Sequence, residues 1–368
     1  MSAAGATGAS GTTGAAVTTA AASAGGVPAS ALTSHAAELA PTSAEQRAAQ
    51  FRAAFITACD LDVAVRKPGN VSHASPGHGM TAALFEASAR AAAGPLTRVG
   101  APVGERIEAA MRATLAVAGC NTNLGIVLLA APLALAWEVR SVEQPLRLAL
   151  AEVLQALGID DAAAAFRAIA LTQPAGLGQV DEHDVASAPT VTLLQAMAAA
   201  AGRDRIAALY VDAGTAAEPR PYAELFDIGL PAWHAGLATH AGRSSMASTS
   251  RSAGSSSSTP ANSASSTPGS AGSDPARHHA LQRVYLELLC TAPDTHIVRK
   301  HGPQPAQSVM HAAEHWLQRA CKAVALDAEP AWAAWDEALK QARINPGTCA
   351  DLSVGTALLA LLCEPEPG

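Results

Sequence analysis

Residues 124–137 read LGIVLLAAPLALAW, fourteen positions without a charge and with no polar side-chain atom beyond the indole N–H of Trp137. The run is too short to cross a bilayer, which takes about 20 residues. It is too long for a buried strand of roughly 4–8. What remains is a helix that is apolar all round and therefore buried all round. Such a helix needs a shell of other helices, and the rest of the chain can supply it. Hydrophobic residues make up 49% of the sequence and aromatics only 4%, and much of that difference is alanine, the strongest helix former. Helical patterns are expected over 44–64, 80–93, 102–118, 123–137, 143–157, 160–171, 188–201, 203–214, 221–229, 278–291, 306–324, 329–342 and 350–363, and no alternating strand stands out. The expected fold is all-α, a single multi-helix domain around one buried helix.

Two stretches fall outside that fabric. Residues 1–41 are Ala, Gly, Ser and Thr with almost no large side chains, and 239–276 are dominated by Ser, Gly, Pro and Ala. Neither can bury enough apolar surface to offset its ordering entropy, so a disordered tail and a disordered insertion are expected. They leave two helical blocks, 42–238 and 277–364, with the second expected to complete the core of the first. Thr42 and Ser43, followed by Glu45 and Gln46, suggest a capping box at the first helix.

Several functions are disfavoured. A net charge of −7 lacks the basic field of a nucleic-acid binder. The six cysteines form no C-x-x-C pair and read as buried reduced thiols, which suits a cytoplasmic protein. No Lys or Arg precedes Arg47 and residues 1–40 lack an apolar core, so neither a secretory signal nor a membrane association is expected. There is no G-x-x-x-x-G-K-[ST], G-x-S-x-G or H-E-x-x-H, and GLGQV lacks the preceding strand of a dinucleotide fingerprint.

The informative residues lie in polar islands between helices. RKPGNVSHASPGHG (66–79) carries Lys67, Asn70, Ser72 and His73, and AGCNTNLG (118–125) places Asn121, Thr122 and Asn123 before the most apolar run. AGLGQVDEHDV (175–185) carries Asp181, Glu182, His183 and Asp184; AGRDRIA (201–207) carries Arg203, Asp204 and Arg205. PDTHIVRKHG (293–302) holds Asp294, His296, Arg299 and Lys300, and NPGTCADLS (345–353) holds Asn345 and Asp351. Each island alone reads as caps and turns. Six of them at helix ends also suit a phosphate ligand, since helix N-termini present free N–H groups and Lys or Arg adds charge. Asp181, Glu182 and Asp184 are hard oxygen donors of the kind magnesium takes when it also holds substrate phosphates. Pro68 and Gly69 are expected to constrain a turn that projects Lys67 and Asn70 toward such a ligand.

KPGNVS, NTNLG, GLGQVDEHDV, TLLQAM, RDRIA, DTHIVRKHG and NPGTCADL occur in this order. Together they resemble the triphosphoribosyl-dephospho-CoA synthase family, and NTNLG leading to LLAAPLA is closer to its archaeal and methylotroph branch. The resemblance implies an all-helical pentosyltransferase that joins the ribose C1 of ATP to the 2′-hydroxyl of dephospho-CoA and releases adenine. It leaves two alternatives: a related ATP-dependent transferase in one-carbon coenzyme synthesis with a pterin- or furan-type acceptor, and a nucleotide-binding accessory protein without turnover. Under the first reading Asp181, Glu182 and Asp184 hold magnesium and supply a base, and His73 and His183 are the nearest proton-transfer candidates. Lys67, Asn70, Ser72, Asn121, Thr122, Asn123, Arg203, Arg299, Lys300, Asn345 and Asp351 then bind or orient phosphate and ribose.

Overall fold

The chain forms fourteen α-helices, the apolar run among them, with no strand among the described residues, which are 44–172, 188–211, 213–215, 217–252 and 274–364 of this computed structural model. The apolar run is α4 (Leu124–Val139), buried along nearly its whole length. Against it lie α1 (Ala44–Ala64), α3 (Val103–Ala118), α5 (Leu146–Ala156) and α14 (Gly347–Cys363). Helix α14 is a second central helix, and two of its hydroxyls bond inside the helix: Ser353 donates to Cys349 O and Thr356 to Leu352 O. That is how a helix carries Ser and Thr through an apolar core without leaving them unpaired.

Helix α2 (Ala82–Leu96) packs on α3, which in turn packs on α6 (Ile159–Thr172). Short helices α7 (Leu193–Ala200) and α8 (Arg205–Tyr210) follow, each with a side-chain cap: Thr192 in a capping box, and Asp204, which accepts from Ile206 N and Ala207 N. A π-helical stretch, Glu224–Gly229, leads into α9 (Leu230–Ser252). The helix therefore runs past residue 238, where the sequence suggests that helical structure stops. It is anchored where it packs: Gly236 lets it approach α10 (Pro275–Thr291) so closely that a Cβ would sit 2.6 Å from Ala280 Cα. Alanine and serine then extend an already nucleated helix at small cost.

Helix α10 explains how the second block joins the first. Its Leu281, Val284 and Leu288 belong to the core around α4, whereas Tyr285, Leu286 and Leu289 face a second core. The second core is built with α12 (Pro303–Cys321) and α13 (Pro330–Gln341) and is centred on tryptophans. Trp316 and Trp332 meet edge-on with centroids 5.1 Å apart, and Trp316 stacks on Trp335 at 6.3 Å. The 277–364 block thus both completes the first core and holds one of its own. The seven-residue α11 (Thr295–His301), inside an island read from sequence as loop, joins α10 to α12 and places Ile297 in the second core.

Candidate active site

Residues 66–79 form a loop after α1, with isolated bridges Ser72–Ser75 and Gly77–Met80. The loop is tied down from the far end of the chain. Fully buried Asp336 of α13 accepts from Gly69 N at 2.9 Å and pairs with Lys340 at 3.0 Å and Arg66 at 3.4 Å. Lys340 Nζ also donates to Ser75 O, and Tyr285 OH donates to Pro68 O. Gly69 has φ +83°, and a Cβ there would lie 2.8 Å from Pro346 Cδ. Only glycine meets both demands without strain.

Lys67 does not project as a cation. Its side chain is fully buried, with Nζ 2.9 Å from Asp62 Oδ1 and donating to Asp62 O at 2.6 Å. An unpaired ammonium could not be buried this way, so the last turn of α1 supplies the counter-charge. Burial pushes the Asp62 carboxyl up, and Lys67 opposes that shift.

Asn70, by contrast, faces its neighbours with half its amide. Nδ2 donates to Asn345 Oδ1 at 3.1 Å, and Oδ1 is buried without a partner within the chain. The buried Ser72 Oγ is likewise without one. At the start of α4 the pattern repeats. Asn121 Oδ1 accepts from Leu124 N at 3.0 Å and so acts as the cap. Asn123 stands at the N-cap position, but its Oδ1 accepts from Thr114 Oγ1 instead. Asn123 Nδ2 and Thr122 Oγ1 are buried and find no partner. Buried polar groups are normally satisfied, at a cost of about 1–3 kcal/mol when they are not. Four such atoms lie on the first two islands.

Asp351 of α14 lies between these elements. A Cβ at Gly125 would overlap its carboxylate, so glycine in the first turn of α4 admits the acid there. Burial pushes the Asp351 carboxyl well up, and the Asp62, Asp294 and Asp204 carboxylates add to this against Arg299. Asp294 is itself fully used: it caps α11 through His296 N and Ile297 N and accepts from Cys349 N at 2.8 Å. Asp204 pairs with Arg299, which orients that guanidinium.

Lys67, Asn70, Ser72, Asn121, Thr122, Asn123, Asn345, Asp351 and Arg299 are thus carried by packed elements: the 66–79 loop, the start of α4, the α14 end and α11. Arg203 is exposed, with only a 3.5 Å contact to Ala199 O, and Lys300 is also exposed. His73 faces outward and pairs with Glu86 at 3.0 Å. Arg205 is structural: it pairs with Glu224 and donates to Ala292 O and Leu288 O. Asp181, Glu182, His183 and Asp184 lie outside the described residues. Among the described residues no three His, Cys, Asp or Glu side chains converge to hold a metal ion. Sequence reasoning missed Asp62 and Asp336. Asp62, five residues before Lys67, could have been found by asking what neutralises a lysine beside an apolar helix; Asp336 leaves no local signal.

A family model described as CitG, ATP:dephospho-CoA triphosphoribosyl transferase, matches residues 48–250 and 270–367. No curated protein matches. Among solved structures, one from Archaeoglobus fulgidus named for triphosphoribosyl-dephospho-coA synthase is similar at 20% identity and a TM-score of 0.49, covering 75% of this chain and 97% of that one.

Proposed function

The chain belongs to the ATP:dephospho-CoA triphosphoribosyl transferase family, and from that membership we propose that it transfers the triphosphoribosyl group of ATP to the 2′-hydroxyl of dephospho-CoA, with adenine as leaving group. The observation that supports this most is the set of buried, unpartnered polar atoms Asn70 Oδ1, Ser72 Oγ, Thr122 Oγ1 and Asn123 Nδ2, all within the stretches KPGNVS and NTNLG. They offer uncharged donors and acceptors, which suits ribose hydroxyls and phosphate oxygens.

In the reaction the ribose C1′–N9 bond breaks and a bond from C1′ to the acceptor 2′-oxygen forms. Positive charge builds on the ribose, as in glycoside hydrolysis. Asp351, set against the first turn of α4 and raised by burial and by neighbouring carboxylates, takes the 2′-hydroxyl proton. A carboxylate with an elevated pKa is a better base near neutral pH than an ordinary one. Adenine leaves with a proton supplied from solvent or a nearby acid. Arg299, fixed by Asp204, stabilises phosphate charge. No phosphoryl group moves, which agrees with a sequence that has no P-loop.

Magnesium belongs to this proposal through the hard oxygen donors Asp181, Glu182 and Asp184. It would neutralise triphosphate charge, and no step above runs through it.

The test is to incubate the protein with ATP, magnesium and dephospho-CoA, then follow free adenine and product mass by mass spectrometry. Adenine and a triphosphoribosyl adduct of dephospho-CoA are expected in equal amounts, with both lost in Asp351→Asn. ATP bound but unconsumed would sink the reaction and leave a nucleotide-binding protein.

A further inference from the structure

His296 is the most unusual histidine of the described residues. It sits in the first turn of α11, with its backbone N–H held by Asp294 Oδ1 at 2.9 Å and Thr348 Oγ1 at 3.1 Å. Its ring packs over Gly347, where a Cβ would approach His296 Cγ to 3.4 Å. The Nε2 atom is buried and has no partner within the chain. Burial lowers its pKa to about 3, with Lys300, Arg299, His78 and His301 adding to the shift. A histidine held neutral among bases is ready to donate a hydrogen bond but carries no charge of its own.

Those neighbouring bases come from separate parts of the chain. His78 arrives on the 66–79 loop, with Nε2 donating to Gly69 O at 2.8 Å and a left-handed φ of +55°. His301 closes α11, with Nε2 donating to Arg343 O at 3.1 Å, and Arg343 is itself left-handed at φ +57°. Arg299 and Lys300 complete the group. Among the described residues one carboxylate pairs directly with it, Asp204 on Arg299. Asp294 spends its oxygens on three backbone N–H groups.

Part of this has a plain explanation. Arg299, Lys300 and His301 occupy the last turn of α11, where cations favour the helix dipole. That does not account for a buried unpartnered Nε2, nor for His78, which reaches the corner from the loop after α1. In a chain with net charge −7, two cations, Arg299 and Lys300, stand beside three histidine rings here, a set of cations and N–H donors suited to a polyanion.

We propose that His296, His78, His301, Arg299 and Lys300 form a binding site for a linear triphosphate, the tail of the nucleotide, at the outer edge of the candidate active site. This rests on the reading of the protein as a triphosphoribosyl transferase. The loop carries both ends of the path: Asn70, with its free amide oxygen, bonds Asn345, and His78 bonds Gly69 one residue before Asn70. A ribose held at Asn70 would send its phosphate chain toward His78 and His296. Triphosphate oxygens would accept from His296 Nε2–H and pair with the guanidinium and ammonium groups.

The experiment uses the full chain and sodium tripolyphosphate, titrated by calorimetry without nucleotide or magnesium, with pyrophosphate as the second probe. The parent is expected to bind tripolyphosphate more tightly than pyrophosphate. His296→Gln and the double variant His78→Asn/His301→Ala should each weaken tripolyphosphate about tenfold, as loss of a charge-assisted contact does. Lys322→Ala, at an exposed position outside the group, should bind as the parent does. Unliganded melting curves establish that each variant is folded. Equal affinity in parent and histidine variants overturns the site, as does a parent that does not bind. In steady-state assays a rise in KM for ATP alone agrees with the nucleotide tail, whereas a rise confined to dephospho-CoA overturns that assignment. Adenine release is scored separately. A parent that binds tripolyphosphate but releases no adenine keeps this site and loses the transfer reaction; one that releases adenine without binding tripolyphosphate does the reverse.

Discussion

The loop at 66–79 and the first turn of α4 are both polar islands beside apolar helices, yet they are held in opposite ways. In the loop the cations are answered, Lys67 by Asp62 and Arg66 by Asp336, which also holds Lys340 of α13. The residues that open α4, Asn121, Thr122 and Asn123, carry no charge, and two of their side-chain polar atoms, Thr122 Oγ1 and Asn123 Nδ2, are left without partners. The difference is that the cations of the loop and of α13 are spent on buried pairs, whereas part of the amide and hydroxyl capacity at the start of α4 is left open. A buried charge must be paired to be tolerated at all, whereas an amide can be left partly open at a cost of a few kcal/mol.

The largest expected effect lies in the brace. Asp336→Ala removes one carboxylate that serves Arg66, Lys340 and Gly69 N–H. Breaking a buried ion pair from one side costs about 3–5 kcal/mol, and with three dependants the upper end is expected, about 5 kcal/mol. Urea unfolding measures it. A loss below about 1 kcal/mol would mean the loop is not held this way, because that is the size of an ordinary surface pair.

Lys67→Met comes next and adds a pH signature. It leaves Asp62 buried without its counter-charge, for a loss of about 3 kcal/mol at pH 8. Burial already raises the Asp62 pKa against the pull of Lys67, so removing the lysine raises it further. A carboxyl with a raised folded pKa leaves stability intact below its unfolded pKa and loses it as pH rises through the folded value. The variant's deficit should therefore be small near pH 4 and grow toward pH 8. A pH-independent deficit would place Lys67 outside any pairing with Asp62.

The amides divide the comparison more finely. Asn121→Ala removes the acceptor for Leu124 N–H and should cost about 1 kcal/mol, the usual worth of a cap. Asn123→Ala removes a bond from Thr114, also worth about 1 kcal/mol, but in addition deletes the open Nδ2. Only Asn123→Ala is expected to lower kcat and kcat/KM for adenine release together, the mark of an interaction made in the transition state. Equal turnover in the two variants would erase the distinction between cap and binding group.

What the sequence made legible follows from the range of the forces involved. The all-α fold and the buried helix at 124–137 are properties of local composition, and α4 spans Leu124–Val139. The islands at helix ends were legible for the same reason. The role of Lys67 was not, since Pro68 and Gly69 suggest an outward turn and only the folded chain shows the side chain turned back on Asp62. Asp336 contacts a loop some 270 positions away, a distance over which a single sequence carries no signal. The α9 extension was hidden because Ser-rich composition argues for disorder, while its start is fixed by Gly236 against Ala280. At α11 the motif residues were recognised but not their helix, because seven residues are too few for a period to show.

The smallest expected effect concerns His73, which sequence alone puts forward as a proton-transfer group. It follows Ser72 as the first residue of the turn that the Ser72–Ser75 bridge closes. Ser72 Oγ is buried with the unpartnered atoms, while the His73 side chain is 54% exposed and pairs with Glu86. Its backbone N–H donates to Val63 O at 2.8 Å, a bond that no side-chain change disturbs. His73→Gln keeps a donor for Glu86 and removes only the titratable ring. Exposed pairs contribute little, so stability should stay within about 0.5 kcal/mol of the parent. Adenine release should stay within about twofold, because a group on the outer side of the loop cannot reach a proton on the inner side. A large fall in kcat with KM unchanged would show that the outer face takes part in the chemistry, and the division between brace and binding surface would then have to be drawn through the loop itself.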